Sequence, residues 1–247
     1  MKKSAARSTA VHVPEPDAAE GVAAVERALS VVAALETSDQ PVTLAEIAVR
    51  TGFYKSTILR LLVSLISWGY VTRLPNGTYD LGPTAFRLGV AFTRKNALGH
   101  HVVPALQRLV ELGTESASFH VRQDAENRVC LFRVNSRHAT LDRVEAGHSY
   151  ALLRGAAGHI ILAYAGSTGP RYEAIRVSGF DVSLGERDPS CAAVAAPVFG
   201  PRDTLVGVIS LSGPRERFGK GEIAKMKRLL GPAAEELTDN FGGIWPF

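Results

Sequence analysis

The sequence predicts an α+β protein in two parts, a mostly helical N-terminal part and a larger C-terminal part that mixes strands with helices. Three observations predict it. Two short helix patterns around residue 50 are separated by little more than a glycine. Two β-rich runs flank Asn76-Gly77 shortly afterwards. Beyond Gly99, strand-like runs alternate with helix-like ones, as in an α/β or α+β domain. A chain of 247 residues holds one large domain or two modest ones. Its 46% hydrophobic content supports a real core and excludes wholesale disorder.

The first 20 residues carry Lys2, Lys3 and Arg7 beside Pro14 and Pro16, without the apolar core of a signal peptide. Residues 1–20 are expected to form a disordered tail. No apolar run approaches the roughly 18 residues of a membrane span. No membrane partner is expected, and the chain reads as cytoplasmic.

Val22, Val25, Ala28, Leu29, Val32 and Leu35 follow a helical period and predict a first helix ending near Ser38-Asp39. Thr43-Leu44-Ala45-Glu46 is a capping-box pattern, so a second helix starts there. Gly52 stops it after nine residues. A third helix follows through Ile58, Leu61, Leu62, Leu65 and Ile66 and ends at Gly69. Two short helices around a tight glycine turn form a helix-turn-helix. The runs 70–74 and 78–81 around Pro75-Asn76-Gly77 form a hairpin. Three helices and a hairpin make a winged helix-turn-helix over residues 21–82.

Gly82-Pro83 places a proline at the first turn of another helix. That helix, over Thr84–Leu98 with Phe86, Leu88, Val90 and Phe92, reads as a linker occupying residues 83–99. The remaining domain, 100–247, is expected to open with a helix at Val102–Leu112. Strands are expected at Ala117–Val121, Val129–Val134 and Thr140–Val144, then a small-residue helix at Gly155–Ala165. Later strands fall at Ala192–Phe199 and Leu205–Leu211. A last helix runs from Glu222 to Asn240, with Gly231-Pro232 expected to kink or break it.

The net charge of +4 is unevenly spread. From Arg50 to Lys95 the basic residues are Arg50, Lys55, Arg60, Arg73, Arg87, Arg94 and Lys95, against Asp80 alone, a balance of +6 in 46 residues. Phosphate binding needs such a local excess rather than a basic average. The third helix begins Tyr54-Lys55-Ser56-Thr57 and continues to Arg60. Recognition helices enter the major groove by their N-terminal residues. Lys55 and Arg60 can pair phosphate or guanine, and the Ser56 and Thr57 hydroxyls adapt to either. Arg73 lies beside the hairpin tip, where a wing meets the DNA backbone or minor groove. The alternative role for Ser56 and Thr57 is to cap the helix.

Taken together, Val25-Glu26-Arg27-Ala28-Leu29, Leu44-Ala45-Glu46-Ile47-Ala48, Thr51–Thr57, Arg60-Leu61-Leu62, Gly69-Tyr70-Val71 and Tyr79-Asp80-Leu81-Gly82 resemble the IclR family of bacterial transcriptional regulators. The likeness continues through Gly155-Ala156-Ala157-Gly158, Val194–Phe199 and Ile209–Pro214, so it covers roughly residues 22 to 240. As a set the motifs are highly specific, although each alone is weak. The resemblance implies a winged helix-turn-helix, a linker helix that helps dimerise, and a GAF-like effector-binding domain. It further implies a homodimer or dimer of dimers on a double-stranded DNA operator, acting as a repressor that responds to a small-molecule effector.

The small residues also have a reading of their own. Gly155, Ala156, Ala157 and Gly158 leave the first amides of their helix unshielded, which favours an anionic or polar ligand. Ser210 and Ser212 alternate with Ile209 and Leu211, so their hydroxyls share one strand face and suggest a polar pocket wall; the plainer alternative is tight helix–sheet packing with the serines bonded to backbone. The resemblance implies an effector cavity at Ala156, Ala157, Ala193, Ser210 and Ser212, with Leu152 and Cys191 as apolar wall positions. This sequence departs from the family at Gly158-His159, where Gly-Lys is usual, and at Ala151-Leu152, where Pro-Leu is usual. Arg154 is also unusual and stands as a possible carboxylate contact or a surface residue.

An enzyme reading is poor. Cys130 and Cys191 lie in no nucleophile signature, and the seven histidines show no metal spacing. No catalytic residue, cofactor or metal is expected. The competing reading is a small-molecule-binding or hydrolytic GAF-like protein whose helix-turn-helix contacts other proteins. The +6 segment argues against it, because such a module does not need one.

Overall fold

The computed structural model describes residues 21–95 and 98–247. The expected tail, residues 1–20, and the junction Asn96-Ala97 lie outside the described residues. The chain divides into two compact units, Met1–Asn96 and Ala97–Phe247.

The N-terminal unit contains α1 (Ala23–Glu36), α2 (Leu44–Thr51), α3 (Lys55–Ser67), β1 (Val71–Arg73), β2 (Tyr79–Leu81) and α4 (Pro83–Lys95). The capping box is complete: Thr43 Oγ1 accepts from the Glu46 amide at 3.2 Å, and the Thr43 amide donates to Glu46 Oε2 at 2.7 Å. Gly52 ends α2 at φ 71°, in the left-handed region that favours glycine. β1 and β2 pair antiparallel, and a bridge between Val42 and Tyr79 ties this wing to the residues before α2. Ile47, Ile58, Leu62, Val71 and Tyr79 close one small core with Val31 and Leu35.

The first helix departs from its apolar stripe. Val31, Ala34 and Leu35 turn to the core, while Val22, Val25 and Leu29 lie on an exposed face of this chain. α1 therefore carries two apolar faces, and periodicity alone merged them. α4 buries none of its residues, leaving Phe86, Leu88, Val90 and Phe92 exposed.

In the C-terminal unit α5 (Leu98–Glu111) starts four residues before the expected Val102. It is followed by β3 (Ser116–Arg122), β4 (Asn127–Val134), β5 (Ser149–Ala151), α6 (Ala156–Tyr164), α7 (Pro170–Ser178), β6 (Asp181–Leu184), β7 (Cys191–Phe199), β8 (Leu205–Pro214) and α8 (Lys220–Asn240). The six strands form one antiparallel sheet in the order β5-β4-β3-β8-β7-β6. Alternation along β7 and β8 sorts the side chains to two faces. Val194, Ala196, Ile209 and Leu211 meet α5 and α8, whereas Ala195 and Val208 meet α6.

Two sequence expectations need correction here. Thr140–Val144 is not a strand; β5 lies later, at Ser149–Ala151, and pairs with β4. Segment 140–144 instead carries Asp142 and Val144 inward, where Arg133 bonds Asp142. Gly231-Pro232 does not break the last helix, which runs through both residues. Two further elements, α7 and β6, lie where no element is expected from the sequence, and β6 brings Asp181 and Ser183 beneath α6.

Candidate nucleic-acid interface and ligand cavity

The exposed surface of α3 is open at its N-terminal end. Tyr54 is the N-cap residue in extended conformation, and no side chain caps the helix. Ser56 and Thr57 therefore do not serve as caps. Tyr54 is 85% exposed, Lys55, Ser56 and Arg60 are exposed, and Thr57 is half-buried beside the core residue Ile58. Ser56 and Arg60, four residues apart, share a helix face. Arg73 ends β1, exposed, opposite Tyr79. Among the described residues, no carboxylate forms an ion pair with Lys55, Arg60 or Arg73. Arg50 differs from them. Its guanidinium donates to the Ala34 carbonyl at 2.7 Å and to Ser38 Oγ at 3.3 Å, so it braces α1 against α2.

The C-terminal unit has a cavity of about 30 Å³ between the sheet and the start of α6. Small residues make the space. A row across four strands places Ser183, Ala193, Ser212 and Ser116 in register, and the next row runs through Ala195, Ser210, Ser118 and Arg133. Gly155 precedes α6 at φ 89°. The first amides of a helix have no acceptor within it, and Ala156 and Ala157, which carry them, line the cavity. Cys191, Ala193, Ser210 and Ser212 line it as well. Leu152 does not; it is buried in the apolar cluster under α6 with Ile160, Ile161 and Ile175.

The sequence reading missed the cavity's charged wall of His120, Arg128, Asp142 and Arg187. Arg128 is 4% exposed; it donates to the carbonyls of Ala151 and Arg154, leaving its Nε buried without a partner. Burial, and then the neighbouring Arg187, push its pKa down to about 10, so it remains a cation near neutrality. His120 bonds Ser118 Oγ through Nε2 at 3.0 Å, and its buried Nδ1 has no partner. Burial holds its pKa well below the usual imidazole value, reinforced by Arg128, Arg133 and Arg187. It is neutral at pH 7. Cys130, fully buried, has its thiol pushed up to about 12 by burial, so it is no nucleophile.

A β-bulge explains why strand alternation hid Arg128. Phe119 pairs with Phe132, but His120 pairs with Cys130, leaving Leu131 as an extra residue in β4. The extra residue reverses the facing of what precedes it. Phe132 and Val134 join the α5–α8 core, while Arg128 turns to the cavity. The sequence signal is weak: Arg128 only precedes the apolar run Val129-Cys130-Leu131-Phe132 and follows the polar Asn127. The two other candidates fall elsewhere. The Arg154 side chain is exposed. His159 is buried, with Nδ1 2.8 Å from Asp181 Oδ2 and Nε2 3.2 Å from the Leu153 carbonyl and 3.3 Å from Glu186 Oε2. Arg171 joins the same two carboxylates, so this cluster clasps α6 to β6 and the following loop. Among the described residues no group of three or more His, Cys, Asp or Glu could hold a metal ion.

Residues 24–75 match the model of the IclR helix-turn-helix domain, and residues 170–239 match that of the bacterial transcriptional regulator IclR C-terminal domain. The chain is 29% identical over 245 residues to the HTH-type transcriptional regulator BhcR of Paracoccus denitrificans, covering 88% of this chain and 87% of that one. It belongs to the IclR family. A second relative, the transcriptional repressor IclR of Escherichia coli, is 23% identical over 250 residues, with 90% of this chain and 91% of that one covered. The fold matches that of an IclR homologue from Microbacterium hydrocarbonoxydans complexed with 4-hydroxybenzoate. The TM-score is 0.72 at 17% identity, covering 89% of this chain and 99% of that one. The chain is thus a DNA-binding transcriptional regulator of the IclR type, with a helix-turn-helix domain and a C-terminal effector domain. Neither matched segment includes His120, Arg128 or Asp142.

Proposed function

We propose that this regulator is a cytoplasmic repressor that binds a pseudo-palindromic operator as a homodimer or dimer of dimers and releases it on binding a small metabolite. Tyr54, Lys55, Ser56, Thr57 and Arg60 enter the major groove, and Arg73 contacts the backbone beside it. The effector occupies the cavity at Ala156, Ala157, Cys191, Ala193, Ser210 and Ser212. The observation that carries this reading is the uncapped, unpaired basic start of α3, in a chain whose other unit holds a polar cavity under the open start of α6. The named relatives are transcriptional regulators, which supports a chain without catalytic activity. No helix of the described chain is long and apolar enough to cross a membrane. The exposed apolar faces of α1 and α4 support assembly through the N-terminal unit, and the ligand in the Microbacterium homologue supports the effector role.

A mobility-shift titration at fixed salt tests the DNA half. Arg60→Ala is expected to weaken specific operator binding by about 1–3 kcal/mol if Arg60 reads a base edge, with binding to unrelated DNA less affected. Unchanged operator affinity would remove Arg60 from the interface.

A further inference from the structure

The apolar residues of α3 do not all serve its core. Ile58, Leu62 and Leu65 are buried along one side of the helix. Leu59 and Val63 are 46% and 70% exposed. With Ser56 and Arg60 they follow the i, i+3, i+4, i+7 spacing that places side chains on one helix face. Helix propensity does not explain the choice, because a straight-chain polar residue suits an exposed helix position better than valine does. Val63 lies about 12 Å along the axis from Lys55, at 1.5 Å per residue, comparable with the width of the major groove. Ile66, the next exposed apolar residue, lies most of a turn further from the start of the helix.

This apolar strip is set beside Lys55 and Arg60, both exposed and without a carboxylate partner among the described residues. A protein surface laid over it would bury Arg60 uncompensated unless it brought its own carboxylate, whereas the phosphates of a duplex supply counter-charge along both edges of the groove. We infer that Leu59 and Val63 read the C5 methyl groups of thymines in the operator. The inference rests on reading α3 as the recognition helix. Thymine's methyl is the apolar feature of the major-groove base edges, whose other groups are donors and acceptors. An aliphatic side chain over those groups leaves them desolvated and unpaired; over thymine it buries a methyl group instead. Leu59 and Val63 thus select thymine beside the base pairs that Ser56 and Arg60 contact, without adding a hydrogen bond.

The probe for the test is the duplex that the full chain selects from a randomised DNA library. Each thymine of that duplex is replaced in turn by uracil, which removes the methyl group alone, and mobility shifts at one salt concentration give the affinities. The expected result is a loss of about fourfold at one or two thymines in each half-site, with little change elsewhere. Leu59→Ala or Val63→Ala should weaken binding to the thymine duplex by a similar factor and remove the difference between thymine and uracil at its own position, so that protein and base changes are non-additive. Alanine is a strong helix former and both positions are exposed, so the variants are expected to fold, which melting curves check. If one does not fold, the uracil series on the parent chain decides alone. No thymine whose methyl matters, or variants as sensitive to uracil as the parent, would each overturn the inference. So would a changed oligomeric state of either variant in analytical ultracentrifugation, which would give the strip to a second copy of the chain. The two readings fail separately. Selection of no preferred duplex, or an Arg60→Ala variant that binds the selected duplex as the parent does, removes the recognition helix and the thymine contact with it. Weakened binding by Arg60→Ala together with indifference to uracil keeps the recognition helix and removes the thymine contact alone.

Discussion

A methyl group on Gly158 would lie 2.2 Å from the Leu152 carbonyl oxygen and 2.8 Å from Arg128 Nη1. That glycine is there for close approach: it lets the 152–154 turn and the Arg128 guanidinium lie against the first turn of α6. Gly158→Ala is expected to destabilise the C-terminal unit by about 1–3 kcal/mol, as overpacking does, and to displace Arg128 from the cavity. A urea titration would show the loss of stability. A variant as stable as the parent would mean that the turn yields freely. At this scale the sequence was only partly legible. Glycine, alanine and serine at 155–158, 210 and 212 left two readings open, a polar cavity or tight helix–sheet packing, and the structure leaves a small cavity there. Arg128 stayed hidden because Leu131 reverses the facing of its strand, and Asp142 because it lies in an irregular segment whose place is set by Arg133.

Local rules succeeded where an element is built from its own residues. The capping box is the clearest case. Thr43 supplies the acceptor for the Glu46 amide, and the same contacts hold the Glu46 carboxyl below its ordinary pKa. Thr43→Ala is expected to cost the N-terminal unit about 1 kcal/mol, read from the denaturation midpoint. A carboxyl whose folded pKa is depressed contributes stability above its unfolded pKa and loses it as the pH falls through the folded value. The gap between variant and parent should therefore narrow in acid. A gap that persists when Glu46 is protonated would assign it to the Thr43 hydroxyl alone. Elements whose residues answer to partners were read less well. The outward stripe of α1, Val22, Val25 and Leu29, looks like core in sequence, since periodicity records that a face is apolar and not what covers it. Thr140–Val144 has the composition of a strand but no neighbour to pair with, while Ser149–Ala151, short and polar, pairs with the edge of β4.

For the whole molecule, regulation requires that the effector favour one state of the assembly over another. Tight binding alone shifts nothing; only the difference in affinity between the DNA-competent and DNA-released states does. A coupling of about 1–3 kcal/mol corresponds to roughly 5–150-fold in operator affinity, and it is reciprocal, so operator DNA must weaken effector binding by the same factor. Ser210 and Ser212 offer a way to cut the coupling without touching the DNA-reading surface, because they belong to the other unit and lie buried on β8. Ser210→Val with Ser212→Val removes both hydroxyls from the cavity wall and adds methyl groups where space is scarce. The double variant is expected to bind operator DNA as the parent does and to stay bound at effector concentrations that release the parent. Mobility shifts with and without effector, at one salt concentration, measure both halves, since phosphate contacts make any operator affinity depend on salt. Normal release by the double variant would move the effector site away from this strand face. Loss of DNA binding without effector would mean instead that the cavity wall holds the DNA-competent state together, making the serines structural parts of the switch rather than its ligand contacts.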